Sequence, residues 1–179
     1  VDRYGSEEVG QWFFEVWNEP NLRAFWRGSR EQYFRLYGEA ARALKEVSPS
    51  LRVGGPATAQ NAWLDEFLQA CERKGLPVDF VSTHHYPTDK VQGVTGGTEA
   101  QLAAMQRDIL REETQDACRK ARGKPLFYTE WNTSADGWDP LHDEPYAAAF
   151  IIKTVLQANG LVDAYSFWTF SDIFEEQYF

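Results

Sequence analysis

Five short apolar runs, separated by four helical patterns, predict an α/β fold with parallel strands. Polar residues gathered at the C-terminal ends of those runs narrow it to part of a (β/α)₈ barrel. The runs are residues 12–17, 51–54, 78–83, 126–129 and 164–169 of the 179-residue chain. Each is apolar on both faces, as a parallel sheet covered by helices requires. Strands and helices alternate in strict order, which calls for right-handed crossovers.

Ser29, with Gln32 three residues on, opens the first helical pattern as a capping box. Phe34, Tyr37, Ala41, Leu44 and Val47 then recur at helical spacing until Ser48-Pro49 stops them. The second pattern covers about residues 62–74, with Leu64, Phe67, Leu68 and Cys71 on one stripe and Gly75 placed for a left-handed C′ position. The third covers about 99–121 and ends at Gly123. The fourth starts near Pro145, with Asp143 as the expected cap beside a structural His142, and ends at Asn159-Gly160. TDKVQGVTGGT, residues 88–98, reads as a long loop. Cys71 and Cys118 fall in helical patterns without CxxC spacing and are expected as two buried free thiols.

Two architectures share this order: an open doubly wound sheet and a barrel. No glycine-rich phosphate loop follows any strand, so a nucleotide-binding sheet is unsupported. Asn18-Glu19, His84-His85-Tyr86, Glu130-Trp131-Asn132 and Ser171-Asp172 all stand at strand ends, the face where a barrel builds its active site. A whole barrel needs eight βα units and about 250 residues. Residues 1–179 are therefore read as one incomplete catalytic barrel, about strands 4 to 8. The first three βα units and the last helix are expected outside it.

The net charge of −9 disfavours nucleic acid and anionic membranes as partners. No stretch approaches the roughly 18 apolar residues of a membrane span. Residues 1–10, VDRYGSEEVG, lack the features of a signal peptide, which favours a cytoplasmic location over export, with the true N-terminus expected beyond the chain. Aromatics make up 15% of the residues, including seven Trp. Such a share serves a large core or a carbohydrate cleft, and Trp26, Trp63 and Trp138 are open to either use.

Three carboxylates need separate accounts. Side chains alternate along a strand, so Glu15, Trp17 and Glu19 are expected on one face, with Glu15 about 13 Å below Glu19. At that depth Glu15 is structural, paired with a donor on a neighbouring strand. Glu19 and Glu130 end separate strands and can face one another across a barrel mouth. Glycoside hydrolysis asks for such a pair: one carboxyl protonated to release the departing oxygen, the other ionised to attack the anomeric carbon. His84 and His85 point to opposite faces, so no metal is expected, and no cofactor. No GxSxG elbow supports serine hydrolase chemistry.

FEVWNEPN, VGGPA, DFVSTHHYP, YTEWNTS and FWTFSDIFEE, in this order, resemble glycoside hydrolase family 39, a family of retaining barrel enzymes that includes β-xylosidases and α-L-iduronidases. The resemblance spans nearly the whole chain, and FWTFSDIFEE and TEWNTS favour the xylosidase branch. It implies Glu19 as general acid/base and Glu130 as nucleophile. It further implies that Asn18 bonds the sugar 2-hydroxyl, that Tyr86 donates to Glu130, that His84 binds substrate beside both carboxylates and that Trp168 walls the sugar ring. Glu175 and Glu176 match positions that contact sugar hydroxyls. Thr83 and His85 stand where the family often has Arg and Ala, and Trp131 replaces the commoner Phe, so the sugar preference is left open.

The expected activity is thus an exo-acting retaining β-xylosidase with a glycoside substrate. An iduronidase-like activity is the alternative, and it would need a cationic clamp that the strand ends lack. A non-catalytic sugar-binding fragment is the other. Two close carboxylates cannot both ionise cheaply, so one pKa should rise, and Glu19 is expected to hold the proton. A homo-oligomer of the full-length protein is left open. This chain alone, with strand 12–17 as an open edge, is expected to be inactive or prone to aggregate.

Overall fold

The structure is a computed structural model that describes residues 1–90, 109–136 and 139–169. In chain order the described helices are α1 (Ser6–Val9), α2 (Arg30–Val47), α3 (Leu64–Lys74), α4 (Ile109–Lys120) and α5 (Pro145–Ala158). The strands are β1 (Phe13–Glu15), β2 (Arg52–Thr58), β3 (Phe80–His84), β4 (Leu126–Trp131) and β5 (Ala164–Phe167). All five lie in one parallel sheet in the order β1-β2-β3-β4-β5, curled into part of a barrel, with helices along its outside.

Ser29 caps α2 as its spacing predicts: its side chain accepts the Gln32 N–H at 3.2 Å, and Gln32 returns to the Ser29 N–H at 2.7 Å. Gly75 ends α3 in the left-handed conformation at φ 59°, where a β-carbon would be strained. Two boundaries differ from expectation. Strand β1 is only three residues long, and β2 runs on through Gly54-Gly55-Pro56 to Thr58. That glycine-rich stretch pairs because the interior is already filled there: a β-carbon on Gly54 would lie 2.4 Å from the Phe80 carbonyl oxygen. Asp143 is not the cap of α5. Glu144 holds that position without a side-chain bond, and Asp139 instead caps the 3₁₀ turn Pro140–Asp143 through the Leu141 N–H. Residues 91–98 of the expected loop and 99–108 of the third helical pattern lie outside the described residues.

The main core lies between helices and the outer sheet face. Tyr33, Phe34, Tyr37 and Ala41 of α2 meet Leu64, Phe67, Leu68 and Cys71 of α3 over Val53, Val81 and Leu126. Each Phe, Leu or Val among them adds about 1.5–3 kcal/mol when fully buried. Trp26 and Trp63 pack against this cluster, and Trp138 lies outside the described residues. Cys71 is a buried free thiol, whereas Cys118 is only half-buried. On the inner face, Phe13, Phe80 and Phe127 pack edge-on and stacked, with centroids 4.8–5.4 Å apart. Aspartates tie the strand bases together. Asp79 exchanges backbone and side-chain hydrogen bonds with Val53, and Asp163 does the same with Leu126.

Candidate active site

The site is built where β1, β3 and β4 end. Past Glu15 the chain leaves strand geometry, with Trp17 at φ 72° and Glu19 at φ 44°. These left-handed residues break the alternation expected from sequence. Trp17 is half exposed, its indole N–H bonded to the Phe25 carbonyl, while Glu19 turns inward and is buried. The turn is held to the end of β2. Glu19 donates its N–H to the Ala57 carbonyl at 2.8 Å. Asn21 donates to the Ala59 carbonyl at 3.1 Å and accepts the Ala59 N–H at 2.9 Å.

A register shift in β4, against β3 at Thr83/His84 and against β5 at Tyr128/Trp131, re-aims its last residues. Thr129 and Glu130 are adjacent in sequence, yet both side chains serve the interior. Thr129 donates to Glu15 at 2.7 Å, and Glu130 accepts from the Tyr86 hydroxyl. Trp131 then faces outward and stacks on Tyr165, with centroids 4.2 Å apart. Glu15 therefore finds its donor across the barrel interior on β4, not on a neighbouring strand.

His84, buried at the end of β3, joins the two carboxylates. Its Nδ1 lies 3.0 Å from Glu19 Oε1 and 3.4 Å from Glu130 Oε2. One carboxylate oxygen of each glutamate and this nitrogen all fall within 4.8 Å of one another. Three such atoms could grip a small cation; here His84 is hydrogen-bonded to Glu19, and Glu130 accepts from Tyr86. His85 points the other way, to Asp89, at 3.2 Å.

The charges are coupled. Burial pulls the His84 imidazole down, but the hydrogen bond to Glu19 and the charges of Glu130, Glu19 and Glu15 outweigh it and hold its pKa above the ordinary value. Burial raises the Glu130 carboxyl. Tyr86 and His84 oppose the rise, while Glu19 and Glu15 add to it. Burial first, then the Glu130 charge, pushes the Tyr86 phenol far up, so Tyr86 stays a neutral donor. The carboxyl held up is thus the one expected to be ionised: burial is the first cause of its rise, and the Glu19 and Glu15 charges add to it.

Asn18 is solvent-exposed beside Glu19. Trp168 is 46% exposed just past β5, its N–H donating to the Trp131 carbonyl at 2.9 Å and its carbonyl accepting from Asn132 at 2.7 Å. Glu175 and Glu176 lie outside the described residues, as do Ser171 and Asp172. Sequence reasoning overlooked Asn21 and Asp89. Asn21 follows NEP directly and was legible as a turn-forming residue, but nothing distinguished Asp89 from loop polarity. His142 meets Ser134, itself bonded to Asp139, in a separate cluster before α5.

Known proteins resemble this chain over nearly all of its length. The beta-xylosidase of Caldicellulosiruptor saccharolyticus is 51% identical over 178 residues, covering 98% of this chain and 36% of the relative. That of Geobacillus stearothermophilus is 41% identical, with 98% and 37% covered. The chain thus spans about a third of the length of these relatives. A solved family 39 beta-xylosidase from Caulobacter crescentus superposes with a TM-score of 0.81 at 43% identity, over 96% of this chain and 35% of that one. A family model described as glycosyl hydrolases family 39 matches residues 1–178, and the chain belongs to that family.

Proposed function

We propose that this chain carries the catalytic pair of a retaining β-xylosidase, with Glu19 as general acid/base and Glu130 as nucleophile. The observation that supports this most directly is the convergence of both carboxylates on His84 within 4.8 Å. Such closeness of one oxygen from each suits double displacement, whose carboxyls stand about 5–5.5 Å apart, better than an inverting site at about 6.5–9.5 Å. Glu130 attacks the anomeric carbon while Glu19 gives its proton to the leaving oxygen. Glu19 then takes a proton from the water that releases the sugar.

His84 supports the proton handling. A proton on the line between Nδ1 and Glu19 Oε1 makes either an imidazolium beside a carboxylate or an imidazole beside a carboxylic acid. Both have the same net charge, so the proton is available to Glu19 without charging the site. Tyr86 steadies the ionised nucleophile by donating to it. Asn18 and Trp168 are assigned to the sugar's 2-hydroxyl and ring face, with Glu175 and Glu176 as further hydroxyl partners. The β-xyloside preference rests on the relatives named beta-xylosidase.

The test is hydrolysis of a panel of 4-nitrophenyl glycosides by the full-length gene product, with the first-formed sugar anomer followed by NMR. The β-xyloside should be hydrolysed best, and β-xylose should appear first. An α-anomer appearing first would remove the mechanism, and a preference for another glycoside would remove the substrate.

A further inference from the structure

Strand β3 delivers His84 and Tyr86 to the site, but the strand itself ends at His84. Tyr86 lies beyond the sheet ladder, where nothing in strand pairing fixes its backbone. Its hydroxyl must nonetheless meet Glu130, which is the narrowest geometric demand at this edge of the site. The chain meets it by folding straight back into a 3₁₀ turn, Pro87–Lys90. Asp89 in that turn donates its N–H to the Tyr86 carbonyl at 3.1 Å. Its Oδ2 accepts the Tyr86 N–H at 2.9 Å and lies 3.2 Å from His85 Nδ1. His85 also donates its own N–H to the Glu130 carbonyl at 3.4 Å, which ties the segment to β4 beside the nucleophile. The Asp89 side chain is 7% exposed and the His85 side chain 0%. With Nδ1 donating, His85 Nε2 has no partner among the described residues, so its buried ring is held by Asp89 alone.

We propose that Asp89, acting with His85, is a positioning residue for catalysis: one buried carboxylate oxygen clamps the backbone of Tyr86 and so sets the reach of its hydroxyl to Glu130. This rests on the reading of Glu130 as nucleophile. Both contacts converge on a single oxygen, so the role is geometric. An asparagine with its carbonyl oxygen in that place supplies the same acceptor, and an alanine supplies none. Groups that face Glu130 from other elements are His84 of β3, Glu19 of the turn after β1 and Glu15 of β1, and the Asp89 charge bears on Tyr86.

The experiment measures kcat, KM and the pH profile of kcat/KM for 4-nitrophenyl β-xyloside with the full-length gene product and its variants. D89A should lower kcat by about 10²-fold, the cost of a misplacement near 1 Å, and leave KM within a few-fold. Without the Tyr86 proton, the Glu130 carboxylate is less favoured, so the acid limb should move to higher pH. D89N should recover most of the loss. In a Y86F background, D89A should move the limb no further. Should D89A not accumulate as folded protein, H85A carries the test, and its acid limb should move in the same direction. An unmoved acid limb in D89A or H85A, with E130Q inactive, would overturn the positioning role and leave the nucleophile assignment standing. Full turnover in E130Q would overturn both.

Discussion

Nδ1 of His84 stands 3.0 Å from Oε1 of Glu19 in the protein interior, so a histidine is the hydrogen-bond partner of the candidate acid. Glu130 approaches the same nitrogen at 3.4 Å. Two carboxylates this close would repel, and an imidazolium between them answers one of the charges.

The first consequence is a histidine that titrates high. NMR of the imidazole in the full-length gene product should place His84 above the ordinary value of about 6.5. In E19Q the hydrogen-bonded charge is gone, burial weighs more, and the value should fall. The sign for stability follows. A native pKa above the unfolded one means that the stabilisation is complete below about pH 6.5 and is lost as pH rises through the native value. Wild type should therefore exceed H84Q in unfolding free energy by more at about pH 5 than at about pH 9. A His84 titration indifferent to E19Q would sink this account.

Turnover separates the two glutamates. E130Q should leave no xyloside hydrolysis, since the amide that replaces the nucleophile does not attack the anomeric carbon. E19Q should lose about 10²–10⁴-fold, the usual contribution of a positioned acid or base. A 4-nitrophenolate needs little protonation, so E19Q should still release one equivalent in a rapid burst, followed by slow turnover. Stopped-flow absorbance reads this directly, and a burst in E130Q instead would exchange the two roles.

Glu15 carries a different expectation. Its carboxylate accepts from Thr129 at 2.7 Å and adds to the rise at Glu130. T129V should cost about 1–3 kcal/mol of stability by leaving a partly buried acceptor without its donor. E15Q keeps the acceptor and removes the charge. Glu130 should then ionise at lower pH, moving the acid limb of kcat/KM down, the direction opposite to D89A. Urea unfolding and a pH profile test the two halves separately.

The features that sequence made legible are those set by local chemistry. The Ser29–Gln32 capping box, the Gly75 stop and the apolar runs each follow from a few neighbouring residues, and the strand order follows from their alternation. The meeting of Glu19 with Glu130 could be read because both end strands of one sheet. Features that depend on departures from regular geometry were hidden. Alternation placed Trp17 and Glu19 on one face, but left-handed backbone at both residues turns them apart. The shift in β4 lets Thr129 and Glu130 both serve the interior, which a strict period of two forbids. Strand β2 continues through glycines because Phe80 fills the space opposite, a fact about another strand. Asp89 acts through a turn that no periodicity marks.

The turn that carries Glu19 yields the last expectation. A non-glycine residue at φ 44° costs of order 1–3 kcal/mol, and it persists only where its surroundings hold it. Here the hold is the Glu19 N–H on Ala57 and the two-way amide of Asn21 on Ala59. N21A removes both side-chain bonds, each worth about 0.5–1.5 kcal/mol. The residual anchor at Ala57 no longer offsets the strain, so Glu19 should relax and draw its carboxylate away from His84. kcat should then fall more than KM changes, and the His84 pKa should drop, with burial opposed only by the charges of Glu130 and Glu15. N21D keeps the acceptor for the Ala59 N–H and loses the donor, so it should lie between wild type and N21A in both measurements. If N21A lowered only the unfolding free energy, with kcat and the His84 titration intact, Asn21 would hold the loop without aiming the acid.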